Sequence, residues 1–352
     1  MSGATIVGTG RFVPGSPVPN DALARVMETS DAWIQARTGI RQRHFAVEGQ
    51  GPSDLALEAS KKALADARIE AAEVDYIIFA TMTPEHFFPG SGPLLGAKLG
   101  IGGIPALDIR QQCAAMPYAF QLADALLKAG AAKTILVAGA DVHAGFMPWQ
   151  DWDVVRGVAD REIATDAYAR ATRHRGLAVI FGDGAAAMVL RKSADPKGGF
   201  LDAELHSDGG AYDHLFVPGV GFRQIPYVTP ELIAADAHLP QMAGPSLLKK
   251  AVRTLSSTVR SLCSAQGLDL NEIDCFVAHQ ANDRINRAVR HALRIPPEKI
   301  PSNIARYGNT SAATIGILTD ELRREGRVRK GDLLCFLALG AGLNWGAALM
   351  RL

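Results

Sequence analysis

The stretch Ala106 to Gly130, ALDIRQQCAAMPYAFQLADALLKAG, decides how the rest of the chain is read. An apolar run, Ala106 to Ile109, leads into Gln111-Gln112-Cys113. A helical pattern through Met116, Phe120, Leu122, Ala123, Leu126 and Leu127 then ends at Gly130. The spacing predicts a buried strand, a sharp junction, and a helix with Cys113 at its first turn. A cysteine there would face unpaired N–H groups and the positive end of the helix dipole, and both favour thiolate. Cys113 is therefore the candidate nucleophile, although a cysteine taken alone is more often a small core residue.

Composition narrows the setting. The 352 residues suffice for one large or two medium domains. The net charge is +1 with signs mixed, so the chain lacks the basic stripe that nucleic acid would require. Cysteines 113, 263, 275 and 335 form no CxxC pair, and Cys275 and Cys335 lie in apolar runs. A reduced chain is expected, with no disulfide framework and no metal site. The first residues lack a basic region followed by a long apolar one, and no apolar run is long enough to span a membrane. The expectation is a cytoplasmic protein with no membrane or nucleic-acid partner.

Around the opening stretch the pattern alternates strand and helix. Ser30 or Asp31 starts a helix that places Trp33 and Arg37 four apart on one face and ends at Gly39. Ser53 caps an amphipathic helix over 53–67, and a strand follows over 74–82. A further strand is expected at 134–141. A mostly polar helix follows from Ala159 to Ala171, and two strands lie around the glycine turn Gly182–Gly184. Beyond a loop-rich region, 193–245, helix returns at Ser246 to Gln266, strand at 273–280 and helix at Arg284 to Leu293.

The chain also repeats itself. IPALDIRQQCAAMPYAFQLADALLKAG, from Ile104, can be laid on IPSNIARYGNTSAATIGILTDELRREG, from Ile300, so that Cys113 meets Asn309 and Gly130 meets Gly326. The flanks follow in the same order: VDYIIFA with IDCFVAH, TILVAGA with LLCFLAL, GAAAMVL with GAALMRL. Four weak matches in one order indicate two similar α/β halves, 1–192 and 193–352. The helices after Cys113 and Asn309 would share a central layer between two sheets. The insertion 142–176 and the connection 193–245 would wall the cleft where the junctions meet.

Three polar residues stand at such junctions: Cys113 after a strand, His279 ending the strand IDCFVAH, and Asn309 before the second helix. A thiol with two hydrogen-bonding groups and no carboxylate is unlike a protease triad. It suits holding a thioester carbonyl and stabilising an enolate left by loss of carbon dioxide. The oxyanion of acyl transfer would be met by backbone N–H groups, that of Cys113 and one from the turn Gly340-Ala341-Gly342, taken as Ala341.

Cys113, HQAN (279–282) and YGNTSAA (307–313) resemble the signatures of the 3-oxoacyl-(acyl carrier protein) synthase III family of the thiolase-like superfamily. TSDAWIQARTGIRQRH (29–44), FGDGAAA (181–187) and LGAGLNWGAAL (339–349) resemble further blocks of that family. The resemblance implies a five-layered αβαβα fold, a homodimer and a two-stage Claisen condensation. An acyl group would pass from acyl-CoA to Cys113. A malonyl thioester, on carrier protein or on coenzyme A, would then decarboxylate with help from His279 and Asn309. No cofactor is implied beyond the thioester substrates. Trp33, Arg37, Asn282 and Leu339 stand where the family binds coenzyme A or substrate. Phe88 stands where an aromatic crosses to the partner's acyl pocket. Lys249 and Lys250 stand for the basic patch that receives the carrier protein, though they also suit an ordinary solvated helix face.

Some features depart from the family pattern. Gln112 precedes the nucleophile, Ala114-Ala115-Met116 follows it, and Ala341 and Leu339 replace a glycine and a common aromatic. The 142–176 loop carries Trp149 and Trp152 and is longer than usual, so it would reshape the acyl pocket or thicken a dimer edge. These departures favour a specialised member over the initiator of bulk fatty acid synthesis. The alternative reaction is acyl transfer to another acceptor, or condensation of two acyl thioesters, without malonyl decarboxylation. A degradative thiolase would want a second cysteine in the C-terminal glycine turn, and LGAGLNWG has none.

Overall fold

The computed structural model describes residues 2–352. The first part of the chain runs β1 (Ala4–Phe12), β2 (Val18–Pro19), α1 (Asn20–Ala24), α2 (Asp31–Thr38), β3 (Gln42–Arg43), α3 (Pro52–Ala67) and β4 (Tyr76–Ala80). It continues through α4 (Ser91–Lys98), β5 (Ala106–Ile109), α5 (Ala115–Lys128), β6 (Thr134–Asp141), α6 (Trp152–Val155), α7 (Thr165–Ala178) and β7 (Gly184–Lys192). The second part runs β8 (Gly199–Ser207), β9 (Leu215–Phe216), α8 (Pro230–Ala234), β10 (Gln241–Met242), α9 (Gly244–Ala265) and β11 (Cys275–Ala278). It closes with α10 (Asp283–Leu293), α11 (Ile304–Tyr307), α12 (Thr314–Arg324), β12 (Leu333–Gly340) and β13 (Asn344–Arg351).

Two mixed sheets carry the architecture, one ordered β1-β7-β6-β4-β5 and the other β11-β12-β13-β8. Strands β4, β6, β7, β11, β12 and β13 are mostly apolar on both faces because both faces are covered, whereas β5, expected as a buried strand, is an edge strand with Leu107 exposed. Ile77 and Phe79 of β4 pack outward with Leu55, Ala59 and Ala63 of α3. Ile78, between them, turns inward to the central layer. On β12, Leu334 and Phe336 face the centre while Cys335 and Leu337 join the core under α9 and α10. The central layer is α5 and α12. Phe120 of α5 meets Phe336 edge-on at 4.8 Å, and Ile317 of α12 packs with Ala186 of β7. Helix, sheet, helix, sheet, helix is the five-layered thiolase-like order.

The duplication is real at the level of backbone, but its register differs from the sequence match. Equivalent positions of the two sheets lie 199 apart: Tyr76 and Cys275 open β4 and β11, and Thr134 and Leu333 open β6 and β12. The junctions obey the same offset. Gln112 and Ser311 each start a short 3-10 turn with φ of 52° and 50°, a left-handed conformation that side chains other than glycine rarely take. Cys113 is therefore equivalent to Ala312, not to Asn309. The offset of 196 holds only at the helix ends, because α12 has 11 residues where α5 has 14. No strand precedes the second junction; Ile304–Tyr307 is helical instead.

Other expectations shift for local reasons. Gly51, not Ser53, caps α3, and Asp54 Oδ2 accepts from its N–H at 2.9 Å. Residues 177–192 hold one strand, β7, because α7 runs on to Ala178 and only the single bridge Phe181–Asn309 forms before the glycine turn. The α2 prediction stands: Ser30 accepts from Trp33 N at 3.1 Å, and Gly39 ends the helix at φ 77°. The insertion builds a satellite core, with Trp149 and Trp152 packing edge-on to Phe45 at 6.1 and 5.1 Å. Neither tryptophan lines the cavity described next.

Candidate active site

A cavity of about 530 Å³ runs inward from exposed Arg37 and Arg284 to buried Cys113, His279 and Asn309. Leu247, Ala251, Leu255 and Leu337 give it an apolar wall. The three polar residues come from different elements. Cys113 sits in the turn that enters α5, His279 directly follows β11, and Asn309 follows α11.

The nucleophile candidate is 6% exposed, and its Sγ lies 3.4 Å from Ser311 Oγ. Burial pushes the Cys113 thiol up to about 12. The nearby Asp141 carboxylate acts in the same direction, and the Ser311 hydroxyl opposes both. Desolvation disfavours the charged form, the opposite direction to the thiolate expected at a helix start. Asp141 is fully buried and organises the neighbourhood. It accepts from Thr81 Oγ1 at 3.0 Å, Met82 N at 2.7 Å and Ala312 N at 3.0 Å, which ties the end of β6 to the turn before α12.

His279 is 5% exposed, and burial lowers its imidazole to about 3, so the ring is neutral. Its Nδ1 lies 2.6 Å from Thr314 Oγ1, and Nε2 has no protein partner. Asn309 is oriented by its own turn. Ser311 N donates to Oδ1 at 2.8 Å, which leaves the Nδ2 hydrogens for the cavity. The Asn309 backbone is clamped beside Phe181, with Asn309 N donating to Ile180 O at 2.9 Å and Gly182 N donating to Asn309 O at 3.1 Å.

Among the described residues, the backbone N–H groups of Cys113 and Ala341 donate to no carbonyl outside the regular helices and strands. Gly340 lets these segments meet: a Cβ there would lie 2.9 Å from Cys113 N and 2.8 Å from Ala114 N. Leu339 lines the same cavity.

At the mouth, Arg37 Cζ packs 4.2 Å from the Trp33 ring centre, as their spacing on α2 predicts. Asn282 caps α10 by accepting from Arg284 N at 2.9 Å, and its Nδ2 donates to Arg37 O at 3.0 Å. It thus fixes Arg37 as well as lining the cavity. Arg175 is a further residue at the mouth that the sequence alone does not single out. Its Cζ lies 5.1 Å from the Trp33 ring centre, a long-range contact that no local spacing reveals. Phe88 lies away from this cavity, 82% exposed, beside a second groove lined by Thr83, Glu85, Asp108 and Arg110. Lys250 Nζ donates to Asp208 Oδ2 at 2.6 Å, whereas Lys249 is exposed. Among the described residues no group of three His, Cys, Asp or Glu side chains is placed to hold a metal ion.

The fold and this cavity define a thiolase-like α/β enzyme class. The comparisons narrow it. Residues 107–161 and 162–209 match 3-oxoacyl-[acyl-carrier-protein (ACP)] synthase III, and residues 263–352 match the C-terminal part of the same family. The β-ketoacyl-[acyl-carrier-protein] synthase III of Rhodospirillum rubrum is 40% identical over 99% of both chains. That of Bordetella petrii is 39% identical over 100% of this chain and 99% of its own. The crystal structure of 3-oxoacyl-[acyl-carrier-protein] synthase III from Aquifex aeolicus VF5 superposes with a TM-score of 0.85. It is 35% identical over 99% of this chain and 100% of that one. The chain belongs to the 3-oxoacyl-[acyl-carrier-protein] synthase III family.

Proposed function

We propose that this protein is a β-ketoacyl-acyl-carrier-protein synthase III-type acyltransferase, joining an acyl group from acyl-CoA to a malonyl thioester with loss of carbon dioxide. The observation that carries this reading is the convergence of a buried thiol, a neutral imidazole and an oriented amide on one cavity. In the first stage Cys113 gives up its proton and its sulfur attacks the acyl carbonyl carbon. The Cys113 and Ala341 N–H groups meet the oxyanion. Coenzyme A leaves as thiolate and takes up the proton.

In the second stage the bond between the malonyl carboxylate and its methylene carbon breaks, and carbon dioxide departs. The electron pair passes to an enolate whose oxygen is held by His279 and Asn309. The methylene carbon attacks the acyl-cysteine carbonyl, the carbon–sulfur bond breaks, and the Cys113 sulfur leaves to be reprotonated from solvent. This chemistry calls for no cofactor beyond the thioesters.

The mouth suits coenzyme A. Trp33 offers an aromatic face, and Arg37, Arg175 and Arg284 offer cations for phosphate. An acidic carrier protein carrying the malonyl group would meet the exposed Arg284 at the cavity mouth and the exposed Lys249 of α9. Homodimer formation is supported by β5, the outer strand of its sheet with Leu107 38% exposed, and by exposed Phe87 and Phe88 nearby. No helix among the described residues is long and apolar enough to cross a membrane, and we place the protein in the cytoplasm. The two halves are taken as 1–192 and 193–352.

The test is intact-mass spectrometry after incubation with a panel of acyl-CoA donors, followed by a malonyl thioester. One acyl adduct per chain is expected, absent in Cys113→Ala, and cleared with carbon dioxide release and a 3-oxoacyl product. An adduct that clears to another acceptor without carbon dioxide would replace condensation by transfer.

A further inference from the structure

We infer that Thr314 is a positioning residue that fixes His279 in the tautomer carrying its proton on Nε2, the form able to donate to the extender's thioester oxygen. This rests on the role proposed above for His279 and adds the group that makes that role available.

A neutral imidazole has one donor and one acceptor nitrogen, and the bond made by one decides the state of the other. At His279 the choice is set at one edge of the ring. Thr314 Oγ1, 2.6 Å away, is the only hydrogen-bond partner of Nδ1 among the described residues, and Nε2 has none. A hydroxyl has one proton. Thr314 Oγ1 also lies 3.0 Å from Ser311 O, so turning the proton there would require Nδ1 to be the donor. Nε2 would then present a lone pair to the growing negative charge of an enolate and repel it.

Turning the proton to Nδ1 costs the backbone no partner and leaves Nε2–H as a donor without a protein partner. Ser311 O keeps the backbone N–H of Thr314, Nδ1 accepts, and Nε2–H becomes a second donor beside Asn309 Nδ2. Both partners are buried, Thr314 at 3% exposure and His279 at 5%, so water does not compete for the bond. Thr314 opens α12, and its hydroxyl reaches across from the second junction to the end of β11.

The test separates the two half-reactions. Thr314→Val keeps the shape and removes the hydroxyl. Decarboxylation of a malonyl thioester is expected to fall by about tenfold to a hundredfold, while acyl loading of Cys113 by acyl-CoA changes by less than about threefold. Thr314→Ser should restore decarboxylation to near the wild-type rate. A Thr314→Val enzyme that decarboxylates normally, or that loses both half-reactions together, overturns the inference. If that variant does not fold, ¹⁵N-histidine NMR of the unaltered enzyme decides, with His279→Gln assigning the signal. The Nε2–H tautomer supports the inference and the Nδ1–H tautomer overturns it. A His279→Ala enzyme that decarboxylates at the wild-type rate would sink the role of His279 itself, an outcome distinct from any Thr314 result.

Discussion

Cys113 Sγ and Ser311 Oγ lie 3.4 Å apart, although 198 residues separate them in sequence. The contact joins the two equivalent junctions, since Ser311 begins the second 3-10 turn as Gln112 begins the first. A hydroxyl that donates to a developing thiolate stabilises it by about 1.5–3 kcal/mol. Ser311→Ala should therefore slow acyl loading of Cys113 by at least about tenfold at constant pH, measured by intact mass against time. Loading at the wild-type rate would show that the hydroxyl does not assist the thiol.

The protonation state of the thiol gives a pH signature. With Cys113 raised to about 12 and His279 lowered to about 3, neither titrates between pH 6 and 9. Alkylation of the substrate-free enzyme by iodoacetamide should rise about tenfold per pH unit across that range, without a plateau, because only the thiolate reacts. A plateau below pH 8 would indicate a thiol activated at rest.

Gly340 is predicted to be intolerant of any side chain. Its Cβ would press on the backbone nitrogens of Cys113 and Ala114 at 2.9 and 2.8 Å, and backbone cannot move aside as a flexible side chain can. Gly340→Ala should displace the Cys113 N–H from the oxyanion position. Loss of one such donor costs about a hundredfold or more in turnover. Steady-state kinetics beside a thermal melt would distinguish this from unfolding.

Arg43 is fully buried without a carboxylate in contact. Its guanidinium donates to Val18 O at 3.2 Å, Asn20 Oδ1 at 2.7 Å and Val179 O at 2.9 Å, and burial lowers it to about 9. It ties the block that carries Trp33 to the cavity wall at Val179. Arg43→Ala would orphan three acceptors and open a void, so destabilisation by about 3 kcal/mol or more is expected in urea unfolding. A change under about 1 kcal/mol would mean that water replaces the guanidinium at these acceptors.

Much of this molecule is legible in the chain alone. The doubly buried strands announce themselves as short, nearly unbroken apolar runs, because each strand's own residues meet helices on both faces. The α2 helix is equally local: Ser30, the four-residue spacing of Trp33 and Arg37, and Gly39 define its start, face and end. Cys113, His279 and Asn309 stand out because polar residues at the ends of such runs are conspicuous. The repeat is legible too, but the shared glycine ends conceal the three-residue difference between α5 and α12, so the sequence alignment pairs Cys113 with Asn309 where the backbone pairs it with Ala312.

The sequence by itself determined the elements, their order, and which side chains can do chemistry, since propensity and apolar spacing are properties of neighbours along the chain. Only the tertiary structure decided the state in which those side chains wait. Burial pushes the Cys113 thiol up, and Asn309 Oδ1 is held by Ser311 N. His279 meets a hydroxyl 35 residues away, and Arg175 crosses from the insertion to Trp33. Desolvation and through-space contact depend on what folding brings near, and no local spacing encodes them.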